Sequence, residues 1–167
     1  MNRLNWRQIL IHSIAIWFFS QAFQDFSYLH DTKFLAEIIE AKQKGVEIKF
    51  LLKTKSAYEI SNIFYFSGLG WIIGLLIGLI TSLIIAKRRK WFWLNSILAL
   101  ALIFIVGRLG LSDSYFLRAI FLFPGIIMKN IHLTIIINGL ILLLLGSLLF
   151  FLKKLKNIIE SNKASVV

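Results

Sequence analysis

The side chains of this sequence that could do chemistry are few and far apart. Gln21, Gln24 and Asp25 stand near the end of one apolar run, Arg108 near the end of another, and His132 opens a third. Gln21 and Asp25 are spaced i,i+4 on one helical face, with Gln24 loosely beside them. An ionised group close to hydrocarbon needs a partner. Asp25 is therefore expected to pair with Arg108, with Arg118 as the rival. Such an outer polar cluster could bind an ion, a proton or a lipid headgroup. Its position near the ends of the runs favours a bridge that fixes helix register, or side chains that reach out to water.

The remaining candidates carry less. His12 could relay protons or ligate haem, but no second histidine falls at its depth to serve as an axial partner. A hydrogen bond to a neighbouring helix is the expectation for His12, as for Asn95 and Asn138. His30, Asp31 and His132 could approach one another as metal ligands, yet their spacing is not diagnostic, and no metal is assigned. The chain has no cysteine, which excludes disulfides, thiolate metal sites, c-type haem attachment and a cysteine nucleophile. It holds no GxSxG, HExxH or P-loop signature, and a lone intramembrane aspartate offers no carboxylate pair. No catalytic residue and no cofactor follow from the sequence.

The elements that must position these groups are apolar. Of 167 residues, 58% are hydrophobic, and the mean hydropathy is +0.78. Four runs, 9–28, 63–86, 91–110 and 131–152, are long enough to cross a hydrocarbon core of about 30 Å as helices rising about 1.5 Å per residue. In the run 63–86, Gly70, Gly74, Gly78 and Ser82 recur every four residues. Four residues of helix turn through about 400°, so these small residues line a nearly straight groove where a second backbone can approach closely. This run reads as the central packing helix of a small membrane protein. Packing within the chain explains the groove; assembly of several copies into a pore is the sharper alternative.

The first run has a rival reading as a signal peptide, with basic Arg3 and Arg7 ahead of it and Ser20-Gln21-Ala22 as a cleavage site. The apolar character continues through Ala22, Phe23 and Phe26, which favours a retained helix. The segment 30–61 reads as outer and amphipathic. Asp31 or Thr32 caps a helix running to Lys44, with Phe34, Leu35, Ile38 and Ile39 on one face. The pairs Lys33/Glu37 and Glu40/Lys44 are spaced i,i+4 along it. Gly45 ends that helix, and Val46, Ile48 and Phe50 then alternate as in a strand. The segment 111–130 holds the sole proline, Pro124, and reads as a short interfacial or re-entrant helix.

The net charge of +11 would point to nucleic acid in a soluble chain. Here the basic residues flank apolar runs, as orientation signals do, and no nucleic-acid-reading motif is present. With the N-terminus inside, the inner segments hold ten Lys/Arg and one acid, the outer segments nine and seven. Lys87, Arg88, Arg89 and Lys90, between two runs, are the densest cluster, and act as an orientation signal or a seat for anionic headgroups. Trp6, Trp91 and Trp93 fall at the inner interface, Tyr28, Tyr65 and Tyr115 at the outer one. The abundance of isoleucine, lysine and asparagine points to an AT-rich bacterial coding sequence.

The expected fold is an all-α integral membrane protein, a single four-transmembrane-helix bundle with both termini cytoplasmic and a cytoplasmic tail 153–167. The expected function is a non-enzymatic accessory or interaction subunit of an inner-membrane complex. Its partners are the lipid bilayer and another membrane protein, or further copies of itself. A small homo-oligomeric channel or transporter is the alternative, and a membrane enzyme acting on lipid comes third.

Overall fold

The computed structural model describes residues 4–44, 55–108 and 130–161, and these are helical almost throughout. Helix α1 is Trp6–Ser27, its first turn closed by the Asn5 side chain, which accepts from the Gln8 amide. One 3₁₀ turn, Tyr28–Asp31, leads into α2, Thr32–Gln43. Asp31 accepts from the Phe34 amide at its start. Helix α3 is Ala57–Arg88. It outruns its apolar stretch because Ser56 and Glu59 form a reciprocal capping box that starts the helix two turns earlier. The backbone N–H and hydroxyl of Ser56 both donate to the Glu59 carboxylate and hold its pKa below the ordinary value.

The end of α3 is a Schellman turn without glycine. The Trp91 amide donates to Ala86 O and the Lys90 amide to Lys87 O, with Lys90 in the left-handed region at φ 53°. Helix α4, Leu94–Arg108, follows, then α5, Ile131–Phe151, capped by the Asn130 side chain. A break at Leu152 separates α5 from α6, Lys153–Ser161. The stretch expected as a tail is thus helical to Ser161, and its buried Ile159 docks it on the bundle.

Helix α1 is the hub. Its contacts with α3, α5 and α4 dominate the tertiary structure, whereas α3 and α5 scarcely meet. This corrects the expectation that 63–86 is the central helix: the most polar of the long helices holds the centre, where His12, Ser13, Gln24 and Asp25 bond to neighbouring helices. The register along α1 is regular. His12 meets Ser82, Ile16 meets Gly78, Phe19 and Ser20 meet Gly74, and Phe23 meets Gly70, so α3 runs antiparallel to α1. Helix α5 is antiparallel too, with Phe150 against His12 and Gly139 against Phe26. Helix α4 runs parallel to α1, Asn95 lying by Gln8 and Ala99 by Ser13.

Of the four expected spans, α3 and α5 are long and apolar enough to cross a membrane. Helix α4 is apolar but has 15 residues, and α1 is interrupted by Gln8, His12, Ser13, Ser20, Gln21, Gln24 and Asp25. Gly45, the strand-like pattern at 46–50, and residues 111–129 of the expected interfacial helix, with Tyr115, Arg118 and Pro124, lie outside the described residues.

Candidate functional site

At the end of the bundle that gathers Asn5, the 87–90 turn and α6, a polar cluster lies inside. Gln8, His12, Ser82, Asn95 and Ser96 are each at most 1% exposed. Asn95 Nδ2 donates to Gln8 Oε1 at 2.8 Å, and its Oδ1 accepts from the Asn5 amide at 3.3 Å. Ser82 Oγ lies 2.5 Å from His12 Nδ1 and donates to Ser96 Oγ at 2.8 Å, so one hydroxyl ties α1, α3 and α4 together. Ser13 Oγ reaches Ile9 O at 2.7 Å and Ala99 O at 3.0 Å. The His12 ring is walled by Phe150, edge-on at 5.2 Å, and by Trp91 at 5.9 Å. Gln8 Nε2 is buried without a hydrogen-bond partner among the described residues.

A serine beside a histidine is the skeleton of a nucleophilic site. Ser82 and Ser96 are wholly buried, however, and among the described residues no carboxylate orients the His12 ring. The arrangement works as an internal clamp: the hydroxyls of Ser13, Ser82 and Ser96 and the amide of Asn95 satisfy groups on other helices, and Gln8 Nε2 is the cluster's one buried side-chain atom without a partner among the described residues.

The same end is held together on its surface. Asn5 Nδ2 donates to Ile159 O at 2.8 Å, Arg7 to Ile158 O at 3.1 Å and Trp91 Nε1 to Glu160 at 3.2 Å. Trp91 is buried, whereas Trp6 and Trp93 are exposed.

The outer cluster read from the sequence is not one site. Asp25 is bonded by Asn138 Nδ2 on α5, not by Arg108, which is exposed at the end of α4. The reason is angular. Asp25 stands about 120° around α1 from Ser13, the residue that faces α4, so its carboxylate is turned to a different neighbour. Gln24 donates to Ser67 Oγ at 2.9 Å, which in turn donates to Tyr28 at 3.1 Å. Gln21 lines an apolar groove of about 270 Å³ with Trp17 and Trp71, on the α4 side of α1. His132 meets Thr32 Oγ1 at 2.8 Å.

His30 stacks on Phe66 at 4.0 Å and Asp31 caps α2, so the three candidate metal ligands are each engaged apart. Among the described residues, no group of three or more His, Asp or Glu forms a metal cage. On α2, Glu40 pairs with Lys44 at 2.6 Å, but Glu37 takes Lys55 at 2.7 Å instead of Lys33. The Glu37 contact raises the Lys55 pKa.

The small residues of α3 lie against α1. A Cβ on Gly70 would stand 2.6 Å from Phe23 O, on Gly74 2.5 Å from Phe19 O, and on Gly78 3.0 Å from Ile16 Cα. A second pair escaped the sequence reading. Gly139 and Gly146 of α5 receive the rings of Phe26 and Phe19, within 3 Å of where a Cβ would be. Their spacing of seven, two helical turns, was the available signal.

Comparison of the chain with protein-family models, with characterised proteins and with solved structures gives no match. Function must be argued from the arrangement itself.

Proposed function

We propose that this chain is a multi-pass inner-membrane protein in which α1, α3, α4 and α5 all cross the bilayer. In this reading both termini and the 87–90 turn are cytoplasmic, and the protein serves as a non-enzymatic subunit of a membrane complex. The observation that carries the reading is an inverted distribution of polarity. Gln8, His12, Ser20, Ser82, Asn95 and Ser96 are buried, while Leu76, Ile80, Ile84, Phe104, Leu140, Leu144 and Phe151 are each more than 45% exposed, though not all around one patch. Water would reward the opposite arrangement, since scattered exposed leucines are ordinary but whole apolar helix faces are not. Hydrocarbon rewards this one: α1 bonds most of its buried polar atoms inside, Gln8 Nε2 being the exception among the described residues, and the outer helices turn apolar faces to lipid.

The accessory reading is preferred to a pore for a specific reason. The glycine face of α3 is occupied by α1 of the same chain, and the space between the helices is filled by Ile16, Phe19 and Phe150. A homo-oligomeric channel built on that face would have to displace α1. The testing experiment is purification from native membranes in mild detergent, followed by native mass spectrometry. A stoichiometric second protein is the expected result. A defined homo-oligomer alone, conducting ions in liposomes, would overturn the accessory role.

A further inference from the structure

Because α3 and α5 both pack on α1 and scarcely touch, a cleft of about 330 Å³ opens between them at the cationic end. It is lined by Thr81, Ile84, Ile85 and Phe151, with Arg88 and Arg89 lining it at the end of α3. The helical repeat explains the selection. Arg88 lies four residues beyond Ile84 and Arg89 four beyond Ile85, on one stripe, whereas Lys87 and Lys90 do not line the cleft.

Among the described residues, no carboxylate pairs with either guanidinium. Glu160 is the acidic residue described at this end, and it is engaged by Trp91 Nε1 and, at 4.0 Å, by Lys156. Arg89 lies over the Trp91 ring, 4.9 Å from its centre, which holds the guanidinium in place without neutralising it. A cleft lined by Ile84, Ile85 and Phe151, with two guanidinium groups at its cytoplasmic end, matches one class of ligand. Guanidinium forks bind phosphate oxygens in paired hydrogen bonds, and the slot takes hydrocarbon.

We infer that the α3/α5 cleft is a binding site for an anionic glycerophospholipid, its phosphate held by Arg88 and Arg89 and one acyl chain lying along Ile84, Ile85 and Phe151. The inference rests on the membrane reading above. It separates two of the four basic residues from a mere orientation signal, which would use all four alike.

The test is reconstitution into nanodiscs containing phosphatidylglycerol and phosphatidylcholine, with retained lipid counted by native mass spectrometry. The wild-type protein should retain phosphatidylglycerol selectively, and an excess of inorganic phosphate should not displace it. Arg88→Gln and Arg89→Gln should each lower that selectivity about fivefold, the scale of attraction between one basic side chain and an anionic surface. Lys87→Gln/Lys90→Gln should change it little. Ile84→Trp, which fills the slot and keeps every charge, should reduce retained phosphatidylglycerol in protein that still melts as the wild type does. Equal losses from the arginine and lysine variants would overturn the site, as would displacement by free phosphate or unchanged retention in Ile84→Trp. In those cases protein still inserted in the nanodisc leaves the membrane reading standing. Protein that does not insert at all overturns both.

Discussion

The two seams along α1 are both built on glycine, yet glycine does different work in each. On the α3 seam, Gly70, Gly74 and Gly78 face peptide groups and Cα or side-chain atoms near the α1 backbone, and the two helices touch main chain to main chain. On the α5 seam, the nearest atoms to Gly139 are the rim of the Phe26 ring and the nearest to Gly146 the rim of the Phe19 ring, with one main-chain atom, Ala15 O, at 3.1 Å from a Cβ on Gly146. A backbone cannot step aside without moving a whole helix, whereas the far end of a phenylalanine can swing. The α3 seam is therefore the rigid one, and the α5 seam the adaptable one. Without the other residues around it, the same residue type would be read the same way in both places.

Equal substitutions should separate the seams. Gly74→Ala puts a methyl into the Phe19 and Ser20 main chain and should cost about 3 kcal/mol, at the upper end for overpacking. Thermal unfolding in detergent reads this directly, and an unchanged melting temperature would dissolve the rigid seam. Gly139→Ala should cost only about 1 kcal/mol, since the Phe26 ring can move. Adding Phe26→Leu should recover part of that loss, and a non-additive double-mutant cycle is the signature to seek. Gly68, with nothing within 4 Å of its would-be Cβ, belongs to neither seam. Gly68→Ala should be neutral or stabilising by up to about 1 kcal/mol through helix propensity alone.

The smallest effect lies outside both seams, at the Ser56–Glu59 cap. Its carboxylate has a lowered pKa in the folded chain because Ser56 donates to the charged form. The cap therefore contributes above the ordinary glutamate pKa and is lost as pH falls through the depressed folded value. Hydrogen exchange of the amides in the first turn of α3 should accelerate over that acid window, and Glu59→Gln should abolish the acceleration.

The sequence made much of this legible at the level of elements. Run lengths located the long helices, although α3 begins at Ala57, six residues ahead of its apolar run, and Asp31 stands at the start of α2. What it could not supply was rotation about each helix axis. Asp25 was matched to Arg108 by depth alone, and depth was not enough, because the carboxylate faces α5 and Asn138. Gly139 and Gly146 were passed over since a spacing of seven is quieter than a spacing of four. His12 was seen, but its join to Ser82 and Ser96 depends on three helices meeting at one level, which no local pattern encodes. Helix α6 was missed because a short charged stretch reads as a solvated tail, though Leu155 and Ile159 are spaced i,i+4 and Ile159 is buried.

The central claim is that α1, polar as it is, crosses the bilayer at the heart of the bundle. Because the sequence contains no cysteine, single introduced cysteines report without background. Leu4→Cys, Trp93→Cys and Lys154→Cys mark the cationic end, and Lys33→Cys marks the other, all at exposed positions. Labelling of intact cells with a membrane-impermeant maleimide should modify Lys33→Cys at once and the other three only after permeabilisation. Labelling of Leu4→Cys and Lys33→Cys from the same side would place both ends of α1 on one face of the membrane and contradict the account.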